Sequence, residues 1–130
     1  MSMVVVVAAL LERDGRVLIS QRREPAQVAL KWEFPGGKME KGESPERALE
    51  RELREELGVE TRTGRIYDVL KCASGGREIL LLFYKSRLVS GEPRPLESNA
   101  VAWAAPSELG QYDFLPADLS LIERIAREGL

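Results

Sequence analysis

At 130 residues the chain fits one domain around one core, and its 44% hydrophobic and 31% charged content is that of a folded globular protein rather than a disordered one. A formal net charge of −2 gives no general attraction to nucleic-acid backbones, so any phosphate-binding surface must be local. The sequence has no histidine and a single cysteine, Cys72, which excludes an intrachain disulfide, a zinc site built from cysteine alone, His-dependent triads and phosphohistidine chemistry. Acid–base work therefore falls to carboxylates, Lys, Tyr, Cys or a metal-bound water.

Residues 4–11 are continuously apolar and β-branched, the pattern of a central strand. The run has no basic stretch before it and no small-residue cleavage pattern after it, and it is too short to span a bilayer. It reads as a buried strand, and the expected location is cytoplasmic. Asp14-Gly15 is a hairpin-type turn signal, and residues 16–21, rich in Val, Leu and Ile, read as the second strand. Residues 24–31 read as a loop, Trp32-Glu33-Phe34 as a short strand, and Pro35-Gly36-Gly37 as a turn. The clearest helix spans 44–57: Ser44 is a good N-cap, Pro45 suits the first helical position and Gly58 fits C′. Further on, 65–71 predicts a strand, Gly75-Gly76 a turn, 78–89 a long strand, 91–95 a loop, 101–104 a short strand and 119–127 an amphipathic helix. With no repeat or linker, residues 1–130 read as a single domain of the α/β class, a mixed sheet with helices on its faces.

On the 44–57 helix, roughly 100° per residue places Leu49, Leu53 and Leu57 on one arc and Glu52, Glu55 and Glu56 on the next. Three carboxylates crowd the margin of the buried stripe, and like charges repel more when partly buried. A divalent cation would remove that conflict, and Mg²⁺ suits a few carboxylates, water and phosphate oxygens. The alternative is a solvated Glu-rich face, with Glu50 and Arg54 as an ordinary i, i+4 pair. Upstream, Gly36-Gly37-Lys38 lets backbone groups come close to a ligand.

The run Gly37, five residues, Glu43, seven residues, then Arg51-Glu52-Leu53-Arg54-Glu55-Glu56-Leu57-Gly58-Val59 resembles the Nudix box and matches it at every specified position. Resemblance to MutT-type and CTP-pyrophosphohydrolase-type members extends over most of the chain. It is carried by Gln21-Arg22, Trp32-Glu33-Phe34-Pro35-Gly36-Gly37-Lys38, Gly91-Glu92-Pro93, Trp103 and Pro116-Ala117-Asp118. The resemblance implies the Nudix fold, an α/β/α sandwich with a mixed β-sheet. It also implies Mg²⁺-dependent hydrolysis of a (deoxy)nucleoside triphosphate, modified and pyrimidine nucleotides among the candidates, to nucleoside monophosphate and pyrophosphate, with Mn²⁺ able to substitute. Carried over by residue, Glu52, Glu55 and Glu56 resemble the metal carboxylates, Gly36 supplies a backbone carbonyl ligand, and Glu52 is also the base for the attacking water. Glu43 and Arg51 resemble the pair that ties the loop to the catalytic helix. Many members supply a further carboxylate, some immediately before the tryptophan that Trp103 matches, where this chain has Ala102; Glu97 resembles the placement in CTP-pyrophosphohydrolase-type members, and the alternative for it is an exposed loop residue.

For the substrate, Arg22 and Lys38 match phosphate-contacting residues, while Arg23 reads as solvent-facing. Phe34 matches a base-pocket phenylalanine and is otherwise core. Arg77 aligns with a nucleotide-contacting arginine and is otherwise an exposed hairpin residue. Asp118 stands where a polar side chain reads the base edge, or else it is an N-cap; a carboxylate there can accept from an exocyclic amine such as that of cytosine. Trp103 and Tyr84 read as packing residues. Two alternatives share the box: a hydrolase of another nucleoside diphosphate linked to a group X, and a non-catalytic nucleotide-binding module. The short loops disfavour the first, and the intact box glutamates disfavour the second. The expected partner is a small-molecule nucleotide, with no nucleic-acid polymer and no membrane, and the expected assembly is a monomer or homodimer.

Overall fold

The computed structural model describes residues 3–23 and 28–130. Among these residues the apolar first run becomes β1 (Met3–Arg13), followed by β2 (Arg16–Gln21), β3 (Trp32–Glu33), β4 (Gly36–Lys38), α1 (Pro45–Leu57), β5 (Glu60–Ser74), β6 (Arg77–Ser90), β7 (Ala100–Ala104) and α2 (Leu119–Glu128). Short 3-10 turns at Pro106–Gln111 and Pro116–Asp118 lead into α2. Residues 24–27 of the expected 24–31 loop lie outside the described residues.

The strands form one sheet in the order β3-β2-β1-β6-β5, with β4 on β1 and β7 on β2. β1 and β6 run parallel, and the remaining pairs are antiparallel. The expected mixed sheet is thus the observed one. β1 is central, and its continuous hydrophobicity serves two cores by alternation. Val7, Ala9 and Leu11 face α1 together with Leu18, Leu49, Leu53 and Leu57. Ala8 and Leu10 face the other way, packing with Ile19, Phe83, Leu121 and Ile125 beneath α2. Leu49, Leu53 and Leu57 are fully buried, each worth about 1.5–3 kcal/mol of transfer free energy.

Local chemistry sets the boundaries. Asp14 and Gly15 both take positive φ, 52° and 75°, which gives the hairpin turn the hand that matches strand twist. Gly75 and Gly76 do the same between β5 and β6, at 58° and 77°. Ser44 caps α1, its side chain accepting from the Arg47 N–H at 3.2 Å, and Gly58 ends it in the left-handed region at φ 72°.

One sequence expectation is corrected, and one alternative reading is not found. Gly36 and Gly37 do not turn; the bend is at Pro35, and both glycines are extended in β4, Gly36 opposite Ala8 and Gly37 opposite Val7. The glycines are needed for close approach, because a β-carbon at Gly36 would run into the Val7 carbonyl oxygen. Glu50 and Arg54 do not pair with each other. Arg54 binds Glu60 across the helix end at 2.7 and 3.1 Å, and Glu50 accepts from the Thr63 N–H at 3.1 Å.

Candidate active site

The acidic face of α1 lies behind β4. A β-carbon at Gly37 would collide with the Glu52 carboxyl group, so the glycine admits this side chain against the strand. Glu56 is only 8% exposed. Its Oε2 accepts from the Gly36 N–H at 3.2 Å, and its Oε1 accepts from the Ser20 hydroxyl at 3.5 Å. Burial, then the neighbouring Glu33, pushes the Glu56 carboxyl up to about 8, with Glu52 and Glu97 adding to the rise against the Gly36 hydrogen bond. Burial also raises Glu52, against the pull of Arg51. Glu55, almost one helical turn beyond Glu52, is half exposed.

Arg51 ties loop to helix. It holds Glu43 with two bonds, from Nε at 2.6 Å and Nη2 at 3.0 Å. Nη2 also donates to the Lys38 carbonyl at 3.2 Å, while Nη1 reaches Glu52 at 3.1 Å and Glu55 at 3.3 Å. The guanidinium holds the Glu43 carboxyl below its ordinary range. Of the three carboxylates on the acidic face of α1, Glu52 and Glu55 are thereby drawn onto Arg51 and Glu56 onto Gly36, so among the described residues no three acids converge as a ready-made cage. The donor set still fits a hard divalent cation: oxygen-only, crowded, and with a carboxyl in Glu56 whose charge burial first, and then its acidic neighbours, disfavours, a conflict that a cation would relieve. Glu52 and Glu55 would leave Arg51 to ligate it.

Two adjoining chambers that share three lining residues form the candidate groove. The first, about 310 Å³, is walled by Phe34, Leu81, Phe83 and Leu115, with Lys38 and Asp118 also on its lining. The second, about 260 Å³, holds Glu52, Glu56, Glu97 and Arg23. Arg22, Glu33 and Gly36 line both. Another cavity, about 320 Å³, lies elsewhere on the β5–β6 ladder among Glu12, Arg62, Lys85 and Arg87, apart from the box carboxylates.

Phe34 is both core and wall, packed against Phe83 and Phe114 with centroids at 6.1 and 5.5 Å. Arg22 donates to both oxygens of Glu33 at 3.0 and 3.3 Å, and its buried Nε has no partner among the described residues. Asp118 occupies the cap position of α2 without making a cap bond, which removes the N-cap reading. It is 6% exposed, and burial together with Glu33 raises it to about 7. Glu97 is exposed, on a loop hung from the end of α1 by Arg94 N–H to Leu57 carbonyl at 3.0 Å and Leu96 N–H to Glu56 carbonyl at 3.1 Å. Arg77 sits beside the Gly75-Gly76 turn and lines neither chamber. Trp103 and Tyr84 pack on the α1 side.

Two groove residues escaped the sequence reading. Glu33 touches both chambers and raises both Glu56 and Asp118; its signal was a charge between Trp32 and Phe34. Arg23 is exposed, as expected, yet it lines the carboxylate chamber and donates to the Leu96 carbonyl at 3.3 Å. Both arginines lie beyond the end of β2, where strand alternation no longer assigns sides.

A mixed sheet between two helices, with a carboxylate helix behind a glycine strand, defines an α/β protein with an acidic chamber beside an aromatic-walled one. The NUDIX domain model matches residues 1–125, and the chain belongs to the Nudix family as a Nudix hydrolase. It is 42% identical to the CTP pyrophosphohydrolase of Escherichia coli K12 over 123 residues, 95% of this chain and 91% of that protein. It is 33% identical to the 8-oxo-dGTP diphosphatase of the same organism, covering 95% of each. The crystal structure of a MutT NUDIX hydrolase from Burkholderia pseudomallei aligns with a TM-score of 0.84 at 31% identity, over 96% of this chain and 99% of that one. Nudix hydrolases generally use divalent metals. Among the described residues no helix is long and apolar enough to cross a membrane.

Proposed function

We propose that the chain hydrolyses a nucleoside triphosphate to nucleoside monophosphate and pyrophosphate, with Mg²⁺ as its working cation and Mn²⁺ as a substitute. The observation that carries this reading is the two-chamber groove: an aromatic-walled chamber joined through Arg22, Glu33 and Gly36 to a chamber of carboxylates. The named activities of the relatives, on CTP and 8-oxo-dGTP, point the same way.

In this reading the base lies along Phe34, with Asp118 facing its edge, and Arg22 and Lys38 hold the phosphate chain. Glu52, Glu55, Glu56, the Gly36 carbonyl and Glu97 would hold the cation, which supplies charge neutralisation at the phosphate oxygens. Glu52, raised by burial, takes the proton of the attacking water. Glu43 and Arg51 are positioning residues: their paired bonds fix the loop against α1 and so keep Glu52 at the glycine strand. Arg77 would meet a nucleotide only outside both chambers.

The test is a Mg²⁺-supplemented panel of ordinary, oxidised and methylated nucleoside triphosphates together with nucleoside diphosphate sugars, with products identified. Turnover in ¹⁸O water is expected to label pyrophosphate, as attack at the β-phosphorus requires; label in the monophosphate would overturn the regiochemistry. Glu52→Gln is expected to lose about 10³-fold or more in kcat while folding normally. Near-normal turnover of that variant, or a preference for the diphosphate sugars, would overturn the assignment.

A further inference from the structure

We infer that Arg23 binds the terminal phosphate of the substrate and thereby sets a preference for a triphosphate over a diphosphate; this rests on the nucleoside triphosphate reading above. The argument is one of order along the groove. Lys38 lines only the aromatic chamber, Arg22 lines both, and Arg23 lines only the carboxylate chamber. A nucleotide whose base lies by Phe34 therefore meets Lys38, then Arg22, then Arg23 as its phosphate chain runs outward. The third cation meets the last phosphate.

Charge supports the same placement. The carboxylate chamber carries Glu33, Glu52, Glu56 and Glu97 against Arg22 and Arg23. Arg22 is committed to Glu33, and the nearby Arg51 to Glu43, Glu52 and Glu55. Among the described residues Arg23 forms no ion pair with a carboxylate. Its Nη2 donates to the Leu96 carbonyl at 3.3 Å, and the guanidinium has further N–H donors in a planar fork that matches phosphate oxygens. That one bond also holds the side chain beside Glu97, on a loop itself bonded to the end of α1. Arg23 is thus held on the wall of the carboxylate chamber, and not of the aromatic one, with donors to spare among the described residues. A diphosphate, one phosphate shorter, leaves those donors to water.

A purely structural role, holding the Glu97 loop through Leu96, makes a different forecast, since a displaced loop would harm every substrate alike. The experiment measures kcat and KM for CTP, CDP, dGTP and dGDP with the wild type, Arg23→Gln and Arg23→Lys, each with its unfolding midpoint. Arg23→Gln is expected to lower kcat/KM for the triphosphates by about ten- to hundredfold, mainly through KM, the range of a charge-assisted hydrogen bond. The diphosphates are expected to change by less than about threefold. Arg23→Lys, which keeps the charge but not the fork, is expected to fall between, and it carries the test alone if the glutamine variant does not fold. Equal losses on both chain lengths overturn the inference and leave only loop holding. A wild type that hydrolyses neither triphosphate, while turning over other nucleotide derivatives, overturns the parent reading and this inference with it. A wild-type triphosphate activity whose chain-length preference survives both variants overturns this inference alone.

Discussion

The buried carboxyl of Asp118 lets one substitution test stability and, separately, the proposed base-reading role. Its carboxyl is raised from 3.8 to about 7 by burial and then by Glu33. An acid whose folded pKa exceeds its unfolded value takes up protons on folding. Its cost is absent below about pH 4, grows between about pH 4 and pH 7, and is complete above that, to an upper bound of about 4 kcal/mol. Asp118→Asn is therefore expected to raise the unfolding midpoint at pH 8 and to leave it unchanged near pH 4. Equal midpoints at pH 8 would mean that the carboxyl is not strained by its surroundings. If Asp118 also reads the base, the asparagine variant changes an acceptor into a mixed donor and acceptor. The ratio of kcat/KM values between CTP and dGTP should then move by roughly tenfold or more. An unmoved ratio would remove the base-reading role.

At the level of elements, legibility followed side-chain signal. The ends of α1 could be read because Ser44, Pro45 and Gly58 each act through local chemistry that survives without the rest of the fold. The turns at Asp14-Gly15 and Gly75-Gly76 were equally legible. β4 was not, because a strand of Gly36, Gly37 and Lys38 has no alternation to display, and what keeps its glycines extended is contact with β1 and with Glu52. Glu33 and Arg23 were missed for a related reason: their places in the groove depend on elements distant in sequence, Glu56 and Asp118 for one, Leu96 for the other. The two glycines can be separated experimentally. Gly36→Ala forces a β-carbon against the backbone of β1 and is expected to destabilise by about 1–3 kcal/mol. Gly37→Ala meets the Glu52 side chain, which can rotate, so it is expected to fold with a smaller loss but to lower kcat sharply. Denaturant melts and steady-state kinetics on both variants check this, and the reverse ranking would refute the division of roles.

Across the whole molecule, the proposed cation site at the crowded acids would make the folded state a receptor for Mg²⁺. A ligand that binds only the folded form stabilises it by about 2.7 kcal/mol at a hundredfold excess over its Kd, which in a chain of this size corresponds to a rise of roughly 10 °C in Tm. Mg²⁺ is expected to raise the midpoint of the wild type, EDTA to reverse the rise, and Glu56→Gln to abolish it while folding in the absence of Mg²⁺. A Mg²⁺ response that persists in Glu56→Gln would place the cation elsewhere. The hanging loop before β7 has a consequence for how this chain tolerates changes in length. Leu96 and Arg94 borrow the last carbonyls of α1, so one residue added between Leu96 and Glu97 would leave both anchors in place and swing the carboxylate off the groove. The same insertion at Gly75-Gly76 would merely lengthen the tip of a hairpin. Around this fold, then, the freedom to gain or lose a residue is graded by what the next residue must reach, and a short exposed loop is among the places where it is smallest.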